Sequence, residues 1–181
     1  MQTFLKFSHA IDSFTDRLGQ ASAFCVMLTI AVGFYNVIAR YLGRLIEIKL
    51  TSNLFIELQW YLFSLTFLLG FSYVLKHGLN VRVDFLYTNW SAKTKAWVDL
   101  VGHAIFLTIF CFIGLYVTTH PVLQSWGMLP DGSFGTWEFS PDPDGLPRAP
   151  IKSMMLVAFG MLFLQTISEI IKNIAVIKGE A

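Results

Sequence analysis

Residues 58–75 constrain this chain most, because they form a long apolar run without a charged side chain. An α-helix rises about 1.5 Å per residue, so a run of this length covers most of the ~30 Å hydrocarbon core of a bilayer. Glu57 precedes the run, and a polar cluster follows it that contains Lys76, His77, Asn80, Arg82 and Asp84. The stretch therefore predicts a membrane-spanning helix with polar residues at both ends.

The composition of the whole chain agrees with a membrane protein. Of its 181 residues, 55% are hydrophobic and 14% are charged, whereas soluble domains carry about 25% charged residues. The formal net charge of +1 gives no sign of a nucleic-acid-binding surface. Cys25 and Cys111 each lie within an apolar run, so they indicate neither a disulfide nor a metal site.

Four apolar segments predict an all-α membrane protein, with residues 1–181 forming a single membrane domain. We expect transmembrane helices at residues 21–41, 55–76, 97–119 and 151–171. Ahead of the first span, apolar residues recur at helical steps of three and four: Phe4, Phe7, Ile11, Phe14 and Leu18. This periodicity predicts an N-terminal interfacial amphipathic helix at residues 3–20. Packing of the same stripe on another protein helix is the alternative.

Residues 120–150 form a long loop that contains all six prolines and four acidic residues. Loops of this length are usually functional or disordered. Trp126 and Trp137 indicate that at least part of the loop packs on protein or lies on the membrane. Docking of a soluble partner and a simple tether are both open as its role.

The distribution of basic residues predicts the orientation in the membrane. With four spans, the termini and the middle loop share one side, which holds eight basic residues: Lys6, Arg17, Lys76, Arg82, Lys93, Lys95, Lys172 and Lys178. The other side holds five: Arg40, Arg44, Lys49, Arg148 and Lys152. Because cytoplasmic loops carry an excess of Lys and Arg, both termini are expected to be cytoplasmic and residues 120–150 periplasmic.

The spans offer few groups for chemistry. His103 and His120 are about 25 Å apart along one helix, so they cannot bind one metal or haem together. Every charged residue lies at or near the end of a span, whereas transport sites usually place charges or broken helices near the membrane midplane. We therefore expect no catalytic residue, no substrate-binding residue, no metal and no cofactor, and an accessory or scaffold role.

Candidate functional residues lie at the ends of the first two spans. Glu57 is expected to pair with Arg40 or a second subunit, because an unpaired carboxylate near lipid is costly. An interfacial position in water is the alternative. Arg40 is also close enough to the end of its span to extend to the lipid headgroups. Trp60 and Tyr61 are placed as an aromatic belt would be.

The cytoplasmic end of the second span supplies the remaining candidates of this stretch. Tyr73 fits the aromatic belt at this end, and Gly70 would let a neighbouring helix approach closely. Arg82 and Asp84 would form a turn that clamps the second helix to the third or to another subunit, with ordinary solvated charges as the alternative.

Residues 57–87 resemble the small membrane subunit, the Q component, of the tripartite ATP-independent periplasmic (TRAP) transporters. In that family a Glu opens the second helix, an aromatic-rich run leads to a Gly and a Tyr, and a pattern like G-x-H-[VI]-R-V-D follows. The chain matches this pattern at Glu57, Tyr61, Phe63, Gly70, Tyr73, Gly78, Val81, Arg82, Val83 and Asp84. Asn80 replaces the usual His, which keeps hydrogen-bonding capacity but cannot titrate.

The resemblance extends beyond this stretch. Arg40 and Tyr41 resemble the Arg-Tyr pair at the end of the family's first helix. Residues 145–172, which include Arg148, resemble the proline-and-basic start of the family's last helix, which ends in Leu-Gln and an acidic residue.

The resemblance implies a DctQ-like scaffold beside a larger membrane subunit that carries a sodium-coupled, elevator-type transport site. A periplasmic binding protein would deliver the substrate, typically an organic acid, to this symporter of the bacterial inner membrane. Residues expected at subunit interfaces or in structural roles are Arg40, Glu57, Trp60, Tyr61, Gly70, Tyr73, Asn80, Arg82, Asp84 and Arg148. The alternatives are a stand-alone membrane scaffold and, less favoured, a membrane anchor of a redox enzyme.

Overall fold

A computed structural model describes residues 2–79 and 87–180 of the chain. Four helices make up the architecture: α1 (Gln2–Leu45), α2 (Asn53–Lys76), α3 (Ala92–Ser125) and α4 (Arg148–Lys178). Each is long and apolar enough to cross a membrane, and the described residues contain no β-strand. The predicted all-α class with four spans is confirmed.

Helix α1 joins the predicted interfacial helix and the first span without a break. It contains no proline, and Gly19, at the expected junction, is a close-packing site rather than a helix stop. A Cβ atom at Gly19 would lie 2.2 Å from the ring of Tyr73. The absent side chain therefore lets α2 approach α1 here, which offsets the roughly 1 kcal/mol by which glycine weakens a helix.

The N-terminal part of α1 packs through its polar face. Ser8 and Thr15 are buried together with Ile11 of the apolar stripe, whereas Phe4 and Phe14 of that stripe are 62% and 49% exposed. Most of the stripe therefore stays on the outside of the chain, free to face lipid or a partner. The contacts within the chain come from small polar residues, as described below.

Helix α3 runs further than the predicted 97–119, from Ala92 to Ser125. Ser91 caps its N-terminus by accepting a hydrogen bond from the backbone N–H of Thr94. Residues Gly102–Leu107 form a π-helical segment within it. Pro121 lies inside the helix, although it removes one backbone donor. The last turn continues past it because the following loop bonds to Ser125.

The chain divides into two compact units. The first comprises the described residues of 1–19, 70–116 and 157–181, and the second comprises residues 20–69 and 117–156. In the first unit Leu75, Cys111 and Leu162 form a buried cluster. There Gly114 contacts Phe159 so closely that a Cβ atom would lie 2.4 Å from the ring.

The four spans differ in the share of their residues that the rest of the chain buries. In the most apolar stretch of each helix, 28% of the residues are buried in α4, but only 6% are buried in α1, α2 and α3. In α1 and α3 most apolar side chains are exposed, whereas α2 has a narrower exposed row among half-buried side chains.

Candidate functional site

Glu57 holds the loop between α3 and α4 against the start of α2. Its side chain is 3% exposed, and its two carboxylate oxygens accept hydrogen bonds from the Ser140 hydroxyl and the Leu146 backbone N–H. No ion pair joins Glu57 to Arg40, both of which are described. The donors that satisfy this carboxylate are neutral groups of the loop, and charge-assisted bonds of this kind are among the stronger ones in proteins.

Tyr61 and Asn53 extend the same contact along α2. The Tyr61 hydroxyl donates to the Pro147 carbonyl, and Asn53 Nδ2 donates to the Pro143 carbonyl over 3.3 Å. Asn53, Glu57 and Tyr61 are spaced by four residues, so they lie on one face of the helix. This polar stripe fixes residues 140–147 of the loop to the second helix.

Glu138 fixes the middle of the loop to the ends of α3 and α4. Its carboxylate pairs with Lys152 and accepts a 2.6 Å bond from the Ser125 hydroxyl. Its backbone N–H donates to Ser125 and its carbonyl accepts from Arg148, at 2.9 and 2.8 Å. The hydrogen bonds from Lys152 and from Ser125 hold the pKa of Glu138 below its ordinary value.

Two tryptophans pack the loop internally. Trp126 and Trp137 meet edge to face with ring centroids 4.6 Å apart, and Trp126 Nε1 donates to Ser153 over 2.7 Å. The expectation that part of this loop packs is therefore confirmed. The outer surface of the loop stays exposed and combines apolar with acidic side chains: Leu129, Phe134, Trp137, Phe139, Asp131, Asp142 and Asp144.

Trp60 and Arg148 border this region. The Trp60 ring lies 4.8 Å from Tyr61 and lines an apolar cavity of about 390 Å³ with Phe63 and Phe67. Arg148 is the first residue of α4, and its buried Nε atom has no hydrogen-bond partner within the described part of the chain. Arg40 lies apart from them, in a basic pocket at the end of α1.

A second polar cluster, in the first unit, centres on Asp12. Its carboxylate accepts from Gln165 Nε2 at 2.9 Å and from Ser168 Oγ at 2.8 Å, and it pairs with Lys172 at 3.2 Å. Thr15 donates to Gln165 Oε1 at 2.7 Å. These residues form what we call the Asp12 network, which fixes α1 to α4.

Helix α2 joins this network through its last turn. Lys76 pairs with Asp16 at 2.5 Å and also donates to the Asp12 carbonyl. Tyr73, placed in the aromatic belt by the sequence, packs on Gly19 and lies 4.2 Å from the His77 ring. Gly70 is a half-buried position within α2. The predicted candidates Asn80, Arg82 and Asp84 lie outside the described residues.

The structure therefore brings the candidates together in two groups rather than one. Glu57, Tyr61 and Trp60 lie in the second unit, and Gly70 and Tyr73 lie in the first. Sequence reasoning missed the partners that complete each group, which are Ser140, Glu138, Lys152, Asp12, Gln165, Ser168 and Lys172. The spacings Asn53-Glu57-Tyr61 and Gln165-Glu169 were the available signals, because residues four apart share a helix face.

Neither group resembles a catalytic centre, and the described residues include no cluster of three or more potential metal ligands. Residues 29–176 match the family described as tripartite ATP-independent periplasmic transporters, DctQ component. The chain belongs to the DctQ family. It is thus a component of a tripartite transporter, the small permease subunit, and the family is not one of enzymes.

No curated protein and no solved structure matches the sequence. The DctQ match includes the loop and its contacts with Glu57, but it begins after the N-terminal part of α1. Asp12 therefore lies outside the matched segment of this DctQ chain, whereas its partners Gln165, Ser168 and Lys172 lie inside it.

Proposed function

We propose that this DctQ component is a static scaffold that binds a larger, elevator-type membrane subunit in the bacterial inner membrane. The observation that carries the proposal is that only 6% of the residues in the most apolar stretches of α1, α2 and α3 are buried. On α2 the exposed side chains Ile56, Phe63 and Phe67 follow helical spacing. Such a face suits a second membrane subunit, which would cover it with its own helices.

A scaffold role also fits the use of the polar groups. Glu57 and Asp12 take their hydrogen bonds from other parts of the same chain. A transport site needs polar groups that can release one set of partners and accept another, usually near the membrane midplane. Since these carboxylates fix one helix or loop to another, they stiffen the subunit instead.

Co-purification tests the pairing directly. The tagged chain is expressed together with the large membrane subunit of a tripartite transporter from the same organism and extracted in a mild detergent, with an unrelated tagged four-span protein as the control. We expect the permease to co-elute with this chain alone. If the folded chain is recovered without a large membrane partner, the stand-alone scaffold becomes the better interpretation.

For the whole transporter we propose sodium-coupled uptake of an organic acid supplied by a soluble binding protein. Proteoliposomes that contain both membrane subunits and receive the binding protein should accumulate a labelled organic acid only under an inward sodium gradient. Uptake driven equally well by a potassium gradient would contradict the sodium coupling.

We also propose that the outer surface of the loop docks the binding protein. Phe134 and Phe139 are 65% and 61% exposed, and Asp142 and Asp144 are exposed beside them. An apolar patch with carboxylates suits a transient interface with a basic partner. A loop serving only as a tether has no use for exposed aromatic side chains.

Substitution of this surface tests the docking. The variant Phe134→Ser/Asp142→Asn/Asp144→Asn should raise the concentration of binding protein needed for half-maximal uptake and leave the maximal rate unchanged. Glu180→Gln, an exposed acidic position outside the loop, is the control. An unchanged half-maximal concentration would reject docking at this surface without affecting the scaffold proposal.

The orientation proposed from charge places both termini in the cytoplasm. Ser133 is exposed in the loop, so Ser133→Cys should react with an impermeant thiol reagent in intact cells with a permeable outer membrane. The parent chain, with Cys25 and Cys111 only, gives the background. Labelling that requires lysis of the inner membrane would reverse the orientation.

A further inference from the structure

A basic pocket lies at the C-terminal end of α1, where the link to α2 begins. Its volume is about 310 Å³, and Arg40, Arg44 and Lys49 line it together with Glu47 and Thr51. All of these residues belong to the second unit. The pocket is separate from the loop contacts of Glu57 and from the Asp12 network.

The backbone of the link builds this pocket. Ile48 N–H donates to the Gly43 carbonyl at 3.0 Å, and Glu47 adopts a left-handed conformation with φ of 55°. A Cβ atom at Gly43 would lie 2.5 Å from the Ile48 carbonyl oxygen. The glycine therefore lets the link fold against the last turns of α1, which brings Lys49 to the side where Arg40 and Arg44 lie.

The charges of the pocket are unbalanced. Three cationic side chains and one carboxylate line it, so the sum is three minus one, or +2. Among the described residues none of these four forms an ion pair, whereas Lys76, Lys152 and Lys172 are all paired. The C-terminus of α1 contributes only about half a negative charge. The pocket is therefore suited to an anion.

The surroundings of the pocket are apolar and exposed. Tyr41, Leu45 and Ile48 are 63%, 80% and 57% exposed. Further along α1, Phe34 and Ile30 continue an exposed apolar row at helical spacing. A bound anion would therefore sit at the end of a membrane-facing surface long enough for an acyl chain.

We infer that this pocket binds the phosphate diester of an anionic phospholipid, with the acyl chains along the exposed row of α1. Guanidinium groups offer paired donors that match phosphate oxygens, and Lys49 adds a point charge. Free phosphate would gain nothing from the apolar row. An acidic protein segment would have to enter the headgroup layer to reach the pocket. This inference does not depend on the proposed transport function.

Lipid titration of the delipidated full chain tests the inference. Native mass spectrometry would follow binding of phosphatidylglycerol, with phosphatidylcholine and inorganic phosphate as separate probes. In Arg40→Gln/Arg44→Gln/Lys49→Gln we expect phosphatidylglycerol binding to weaken about fivefold for each cation removed. The matched control removes three exposed basic residues elsewhere that form no ion pair with the described residues: Lys6→Gln/Lys93→Gln/Lys178→Gln.

A variant with the opposite effect guards against a loss caused by misfolding. Glu47→Gln removes the only carboxylate among the residues that line the pocket, and binding should tighten by a similar factor of about five. Equal losses in the two triple variants would overturn the inference, as would full binding by the pocket variant. Displacement of the lipid by millimolar inorganic phosphate would identify a free-anion site and reject the phospholipid.

Discussion

The loop contacts of Glu138 and the Asp12 network use the same chemistry in different surroundings. In the loop the paired side chains of Glu138 and Lys152 are 36% and 33% exposed. In the network Thr15, Gln165 and Ser168 are all 0% exposed. A hydrogen bond that water can replace contributes less than one whose loss leaves a buried group unsatisfied. This difference applies to Glu138 and Lys152, since Glu57 is itself only 3% exposed. The network should therefore control the stability of the chain, and the Glu138 contacts should control the local order of the loop.

The two regions also differ in the kind of donor they use. The loop satisfies Glu57 with a hydroxyl and a backbone N–H. The network instead links side chains of α1 and α4 that are about 150 to 160 residues apart in sequence. Removal of Asp12 therefore affects contacts with three residues of α4 together, whereas Glu57 holds two groups of a single loop.

The largest effect is expected for Asp12→Ala. The substitution removes the acceptor on α1 that Gln165, Ser168 and Lys172 share. Gln165 and Lys172 keep Glu169 as an acceptor and Ser168 keeps Ser8, so we expect a loss of about 3 kcal/mol, the upper end for hydrogen bonds to a charged group. The midpoint of unfolding in detergent should fall clearly, as measured by the loss of helical circular dichroism on heating.

Asp16→Ala is the matched control for this prediction. Asp16 lies one turn further along α1 and pairs with Lys76, but 44% of its side chain is exposed. Solvent screens an exposed pair, so the midpoint should change much less. Equal shifts in the two variants would mean that burial does not distinguish the network from a surface ion pair.

Close packing in the first unit should give the next largest effect. Gly114→Ala places a methyl group 2.4 Å from the Phe159 ring, and overpacking of this kind costs about 2 kcal/mol. On α4, Gly160 has open space around its missing side chain, so Gly160→Ala should instead stabilise the helix by up to about 1 kcal/mol. Thermal midpoints of the two variants should move in opposite directions, and a shift in the same direction would contradict the packing described.

The spans could be predicted from the sequence because lipid imposes a simple requirement. Apolar runs long enough to cross the membrane mark all four helices. The sequence predicts a span that ends at residue 119, just before Pro121, because proline usually ends a helix. The helix instead continues to Ser125. Its last turn depends on hydrogen bonds between Ser125 and Glu138, thirteen residues further along the chain.

The contacts of the candidate residues are also hard to predict, because their partners are distant in the sequence. The sequence predicts a partner for Glu57, but its donors at Ser140 and Leu146 lie 83 and 89 residues away. Asp12 lies between the apolar-stripe residues Ile11 and Phe14, and nothing in its own neighbourhood indicates Gln165. Periodicity predicts which residues share a face, whereas the partner of that face depends on tertiary packing.

A smaller and local effect is expected for Glu57→Gln. The amide has the shape of the carboxylate but no charge, and its NH₂ group meets a donor from the loop. Protection of the Leu146 amide against hydrogen exchange should fall about tenfold, while the global unfolding midpoint stays nearly constant. Tyr61→Phe, which removes only the hydroxyl bond to Pro147, should have a weaker effect on the same amide. A large loss of global stability in Glu57→Gln would contradict this prediction, because the loop contact would then control the stability of the whole chain as the Asp12 network does.

The smallest effect is the acid sensitivity of the loop. The hydrogen bonds from Lys152 and Ser125 lower the pKa of Glu138 below its reference value of 4.5. Above that value the carboxylate is ionised in both the folded and the unfolded state, so its bonds contribute fully. As the pH falls, the unfolded state takes up a proton first, and the contribution is lost through the lowered folded pKa.

Near-ultraviolet circular dichroism of the packed tryptophans, recorded between pH 7 and pH 3, should follow this loss. Lys152→Gln removes the donor that contributes most to the lowered pKa of Glu138, so the acid transition should move to higher pH. The pKa of Asp131 is also lowered, by bonds from Ser133, which makes Asp131→Asn the necessary control. Because Asp131 contacts neither tryptophan nor Lys152 in the bonds described, that variant should keep the parental transition. A transition that moves with Asp131 and not with Lys152 would show that Glu138 does not hold the loop.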